Sequence, residues 1–135
     1  MNNLMPYLFF NGQCKAALDF YAHAMGGEIT ALSTFAEMPG ETPPGTEDRI
    51  MHATFKAGDI AFMASDSMPD QDIPRSGPVA LSLDFTDADE QAAVFHELAE
   101  GGEITMALQD TFWGARFGMV TDKFGIQWML SLSKE

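Results

Sequence analysis

Basic residues are scarce. Seven Lys and Arg stand against twenty Asp and Glu, for a formal net charge of −13. Phosphate recognition needs a basic face, and these few cations form no cluster, so nucleic acid and anionic membrane surfaces are excluded as partners. The acidity itself reads as solubility. One cysteine, Cys14, excludes an internal disulfide. No apolar run approaches the roughly 20 residues needed to span a bilayer. The first residues, Met1 to Met5, carry no cationic segment followed by an apolar one, so no signal peptide is visible. Together these absences point to a cytoplasmic protein.

The hydrophobic share, 46% with 11% aromatic, fits a chain with a real core, and 135 residues predict a single domain, 1–135. The most informative feature is a duplication. At a shift of 75 residues, segment 16–30 matches 91–105 at eight of fifteen positions, including the unbroken run GGEIT. At a shift of 67, Arg49, Thr54, Lys56 and Gly58 meet Arg116, Thr121, Lys123 and Gly125. Allowing for an extra Asp59, IAFM (60–63) then meets IQWM (126–129).

Each copy reads as β-α-β-β-β. The first strands are 6–10 and 79–85; in the second, Val79, Leu81, Leu83 and Phe85 alternate with smaller or polar residues. Helices follow over 14–25 and 87–100, with Thr86 or Asp87 as N-cap of the second. Gly26-Gly27 and Gly101-Gly102 stop them, since glycine accepts the left-handed conformation of a helix end. Three strands complete each copy: 28–36, 49–57 and 60–65, then 103–109, 115–121 and 126–132. KAGD and DKFG are the hairpin turns. The repeats are thus about 1–66 and 79–135, with 67–78 as linker. The Pro-, Gly- and acid-rich segment 38–48 should be a mobile loop. The expected fold class is α+β, two tandem βαβββ repeats forming a curved eight-stranded mixed sheet around a cleft.

This organisation resembles the glyoxalase, bleomycin-resistance and extradiol-dioxygenase superfamily, the vicinal-oxygen-chelate fold. The wording is similar to its PhnB-like, 3-demethylubiquinone methyltransferase-like branch. The resemblance is carried by YLFFNGQCKAALDFY (7–21), MHATFKAGDIAFMASD (51–66) and TFWGARFGMVTDKFGIQWMLS (111–131). In metal-dependent members, ligands come from the first and last strands of each half. Side chains alternate along strands, so Leu8, Phe10, Phe62 and Trp128 should face the helices. The resemblance then puts the ligand positions near Tyr7, Met63, Ser82 and Met129. None is His, Asp or Glu, and hard or borderline divalent ions need such donors; no metal and no cofactor are expected. The methyltransferase label finds no support either: the common class uses a doubly wound sheet with a Gly-rich turn, and no GxGxxG occurs.

The expected function is a metal-free glyoxalase-fold protein that binds a small apolar or aromatic molecule. The expected ligand-binding residues are Tyr7, Phe9, His52, Met63, Ser82, Asp84, Trp113, Phe117, Met119 and Met129. His52, on a strand with cleft parity opposite its repeat partner Met119, is the candidate general base of a second, enzymatic reading of the lyase or isomerase kind. A metal-dependent enzyme and an orphan dimeric interaction module stand beside these two readings, and whether the chain is an enzyme stays open. A homodimer is implied by the resemblance. His23 and His96 read as surface residues. Cys14 reads as buried and inert. Arg49 and Arg116 read as partners of the abundant acids rather than a clamp for an anion.

Overall fold

The computed structural model describes residues 1–37, 44–69, 71, 73–74 and 77–133. The expected loop at 38–48 and linker at 67–78 therefore lie partly outside the described residues. The chain divides into two compact units, Met1–Ile73 and Pro74–Glu135, with the boundary inside the segment expected to link the repeats.

In the N-terminal unit the order is β1 (Tyr7–Phe10), α1 (Cys14–Met25), β2 (Glu28–Thr34), a short 3-10 turn (Phe35–Glu37), β3 (Ile50–Ala57) and β4 (Ile60–Asp66). The sheet order is β1-β4-β3-β2. β1 runs parallel to β4, and the other pairs are antiparallel. α1 lays Ala17, Leu18, Tyr21 and Ala24 on one face of the sheet. Beneath them Phe55 and Phe62 stack with centroids 4.8 Å apart, and the Tyr21 ring meets Phe62 edge-on at 5.9 Å. Leu8, Phe10, Ala53 and Ala64 complete this core.

The C-terminal unit repeats the plan with β5 (Leu81–Phe85), α2 (Ala88–Ala99), β6 (Glu103–Asp110), β7 (Ala115–Thr121) and β8 (Gln127–Ser133), in sheet order β5-β8-β7-β6. The eight expected strands are thus present as two four-stranded mixed sheets, an α+β arrangement. Asp87 caps α2 by accepting from the backbone N–H of Asp89. Val94, Phe95 and Leu98 of α2, with Val120, Trp128 and Leu130, form the core.

The glycine pairs act as expected, and the second glycine of each does more. Gly26 closes α1 in the left-handed region, φ 68°. A Cβ on Gly27 would lie 2.6 Å from Phe55 Cζ and 2.7 Å from the carbonyl oxygen of Lys56. A Cβ on Gly102 would meet the backbone of Thr121 and Asp122. Each pair therefore ends a helix and lets the next strand start in contact with a neighbouring strand.

Three expectations are corrected. Val79 is not in the first strand of the second copy: it is 73% exposed, and β5 starts at Leu81. The Gln127 side chain donates to the carbonyls of Gly77 and Val79, which replaces ladder bonds there. Met119 is not the spatial counterpart of His52. Thr54 stands opposite Met63, and Met119 stands opposite Met129. The connection between β3 and β4 is only Gly58-Asp59, whereas 122–126 joins β7 to β8; the longer turn displaces the match by two residues while keeping the face. Finally, the arginines bond neutral oxygens. Arg49 Nη1 donates to Asn11 Oδ1 at 2.9 Å and to the Ser67 carbonyl at 2.7 Å, and Arg116 Nη1 donates to the Ala88 carbonyl at 3.3 Å.

Candidate functional site

Each sheet has one face under its helix and one face free of it. The buried rows Leu8, Phe10, Phe62 and Ala64 fix which is which in the N-terminal unit. Alternation then puts Tyr7, Phe9, His52, Thr54 and Met63 on the helix-free face. Register brings Tyr7 beside Met63, and Met63 beside Thr54. His52 sits one step further along β3, opposite Ser33 of β2.

Four of the expected site residues therefore converge in this unit. The Tyr7 hydroxyl lies 3.3 Å from His52 Nδ1, a partly buried contact that spans the sheet diagonally. The Tyr7 and Phe9 rings are 4.9 Å apart at 30°. Phe9 is 53% exposed although it stands in a strand. The result is an aromatic surface with one phenol–imidazole pair at its edge.

The remaining expected residues group in the C-terminal unit. Ser82 and Asp84 pair with Met129 and Ser131. Met119 pairs with Met129, and Phe117 with Ser131, so all share the helix-free face. Trp113 lies in the β6–β7 turn with its ring 5.7 Å from that of Phe117. Ser82 and Asp84 are exposed. One residue of this face was not anticipated. Met106 of β6 stands opposite Met119, because the register slips between Ile104 and Met106. A bulge cannot be read from sequence alternation.

The donor positions of the divalent-metal members can be tested directly. Tyr7 is opposed to Met63, and Ser82 to Met129: the pairs face one another as two strand-borne ligands would. Their chemistry does not fit. A phenol, an alcohol and two thioethers supply neither imidazole nor carboxylate for Zn, Mn, Fe or Ni. Among the described residues, no group of three or more His, Cys, Asp and Glu is arranged to hold a metal ion.

Cys14 is fully buried at the start of α1. A helix N-terminus favours a thiolate, but burial and then the neighbouring Asp66 carboxylate push the thiol up to about 12. Asp66 also accepts from the backbone N–H groups of Cys14 and Ile50, each at 2.9 Å, tying α1 and β3 to the end of β4. In the unfolded chain the thiol returns to about 8.5. The folded state thus holds its proton more tightly, so this contribution to stability is complete below about pH 8.5 and is lost as pH rises toward 12. Between pH 7 and pH 10, urea midpoints of the natural chain should fall more than those of Cys14→Ala. Equal slopes would refute it. His23 and His96 are both exposed on their helices, as expected.

Two βαβββ units of this strand order define a protein of the glyoxalase fold. A glyoxalase/bleomycin resistance protein/dioxygenase from Nocardioides superposes with a TM-score of 0.61 at 18% identity, covering 100% of this chain and 86% of that one. More specifically, the family described as 3-demethylubiquinone-9 3-methyltransferase matches residues 2–131, and the chain belongs to it. Protein YjdN of Escherichia coli K12 is 37% identical over 142 residues, covering 98% of this chain and 96% of its own. The crystal structure of PA1353 from Pseudomonas aeruginosa has a TM-score of 0.89 at 38% identity over 100% of both chains.

Proposed function

We propose that this chain binds a small apolar or aromatic molecule on the helix-free face of its N-terminal sheet, without a divalent metal. The observation that supports it is Phe9: a phenylalanine 53% exposed in a strand, beside Tyr7, next to a Tyr7–His52 pair. Ligand sites combine apolar walls with a few fixed polar groups. Here the rings supply the wall, and the hydroxyl and imidazole orient whatever hydrogen-bonding group the molecule carries. Methyl transfer, named in the family's description, has little support: the common class needs a doubly wound sheet with a Gly-rich turn, whereas the glycine pairs here follow helices.

The test is a thermal-shift screen with small aromatic compounds, followed by calorimetric titration of any hit. A ligand specific for the native state adds about 2.7 kcal/mol at one hundred times its Kd, a shift of several degrees. Phe9→Ala and His52→Ala should each weaken the hit while leaving the unliganded Tm nearly unchanged. A hit indifferent to both substitutions would refute the assignment, and silence across the screen would favour an interaction module built as a homodimer.

The Tyr7–His52 contact favours one second reading, a metal-independent enzyme in which His52 takes up a proton and Tyr7 orients its ring. It predicts turnover that is lost in His52→Ala and reduced in Tyr7→Phe. Turnover unchanged in His52→Ala would rule it out.

A further inference from the structure

The helix-free face of the C-terminal sheet carries an unusual cross-strand row. Register places Ser82 beside Met129, Met129 beside Met119, and Met119 beside Met106. Three methionines thus occupy opposed positions on three adjacent strands, with Ser82 at the end of the row. Two of them follow from simple alternation along β7 and β8. The third does not: Ile104 is opposite Val120, whose side chain lies in the core, and by alternation Met106 would share that helix-side face. The slip between Ile104 and Met106 turns it to the other face, opposite Met119. Bulges commonly re-aim a single side chain in this way.

Residues opposed on neighbouring strands have Cα atoms about 4.5–5.5 Å apart. Methionine has three side-chain torsions beyond its Cα and a polarizable sulfur at its third side-chain position. Met106 and Met129 can therefore lean inward over Met119 and share one ion with it. None of the three is locked in the core: Met119 and Met129 are half-buried and Met106 is 36% exposed.

The donor set chooses the ion. Thioethers are soft and neutral; they suit Cu(I) and its soft analogue Ag(I), and without an anionic, imidazole or oxygen donor beside them they hold Zn, Mg and Ca weakly. Three neutral sulfurs leave the bound ion its full single positive charge. The surroundings suit that charge. Asp84 and Phe117 lie on the same face, in the neighbouring row built around Ser131, offering a carboxylate and an aromatic ring. The whole chain carries −13. We propose that Met106, Met119 and Met129 form a three-thioether site for a soft monovalent ion, Cu(I) or Ag(I). Its donors come from one sheet, unlike the divalent sites of the fold, and it is independent of the small-molecule reading on the N-terminal face.

The experiment titrates Ag(I) into the full-length chain in chloride-free buffer. A Cys14→Ser background removes the competing thiol. Calorimetry reads affinity, and spectra of methyl-labelled methionine read location. The expected result is one saturable site, with methyl shifts at Met106, Met119 and Met129 but not at Met51 or Met63. Loss of an outer-shell partner alone typically costs roughly 10–100-fold in metal affinity, so removing a donor in Met119→Leu should cost at least that. Met106→Leu, at an exposed position that leaves the core intact, should act in the same direction. Cu(I) under reducing conditions should compete for the site, and Zn(II) should not. Absence of saturable Ag(I) binding overturns the proposal. So does binding that survives both substitutions, or shifts that fall on other methionines. The aromatic-ligand screen with Phe9→Ala and His52→Ala is read separately, so either assignment can fail alone.

Discussion

Gly102→Ala is expected to cost at least the upper end of the roughly 1–3 kcal/mol typical of overpacking. The added Cβ would collide with the carbonyl oxygen of Thr121 and would lie 2.9 Å from both Cα and C of Asp122. All of these are backbone atoms, so no rotamer change relieves the contact. β6 would have to move away from β7 at the point where Glu103 pairs with Thr121. Gly101→Ala provides the contrast. Its φ of 75° makes alanine costly by about 1–2 kcal/mol, but the nearest new contact is the flexible Lys123 side chain at 3.2 Å. Urea unfolding should therefore rank Gly102→Ala well below Gly101→Ala, and Gly27→Ala should repeat the effect in the N-terminal unit. Equal losses at both glycines of a pair would show that helix termination, not close approach, is what the second glycine supplies.

That distinction was only half visible in the sequence. The repeated GGEIT declares that something at the two positions is needed twice, and the flanking helical stripe says a helix ends there. The reason for the second glycine depends on Lys56 and Thr121, residues brought there by sheet pairing. Strand faces were legible for the same reason the duplication was: alternation is local. Leu8, Phe10, Phe62 and Trp128 are buried as the two-residue period requires. Pairing is not local. Matching Lys56 with Lys123 followed the letters, whereas register follows turn length, and the longer β7–β8 connection placed Met119 opposite Met129.

The candidate sites divide along the same line. Tyr7, Phe9, His52 and Met63 could each be assigned a face from their own strands. That the Tyr7 hydroxyl reaches His52 Nδ1 depends on β4 lying between β1 and β3. Met106 escaped because a bulge breaks the two-residue period that assigns faces. Buried polar anchors escaped as well. Asp66 holds two backbone N–H groups from other elements. Gln91 donates to the carbonyls of Arg116 and Leu130, fastening α2 to its sheet. A sequence marks such residues only as polar letters in an apolar neighbourhood.

Asp122 is the anchor with the most to lose. It is 2% exposed and its carboxylate gathers three donors: the backbone N–H of Phe124 at 2.9 Å, that of Ile126 at 3.1 Å and the Trp128 indole N–H at 2.8 Å. The first two shape the β7–β8 turn; the third locks the largest side chain of the C-terminal core. Asp122→Ala leaves all three without this acceptor. The indole N–H is buried and the two turn N–H groups are part-buried; an unsatisfied buried donor costs roughly 1–3 kcal/mol, so a loss of about 3 kcal/mol is expected, read as a large drop in Tm and in the near-ultraviolet circular dichroism of Trp128. Asp122→Asn keeps an amide oxygen and should recover part of the loss. A destabilisation of Asp122→Ala below about 1 kcal/mol would mean that the turn closes without the carboxylate. The consequence reaches the helix-free face, because this turn sets the register that opposes Met119 to Met129, and a slip of one residue would turn one strand's whole row to the opposite face.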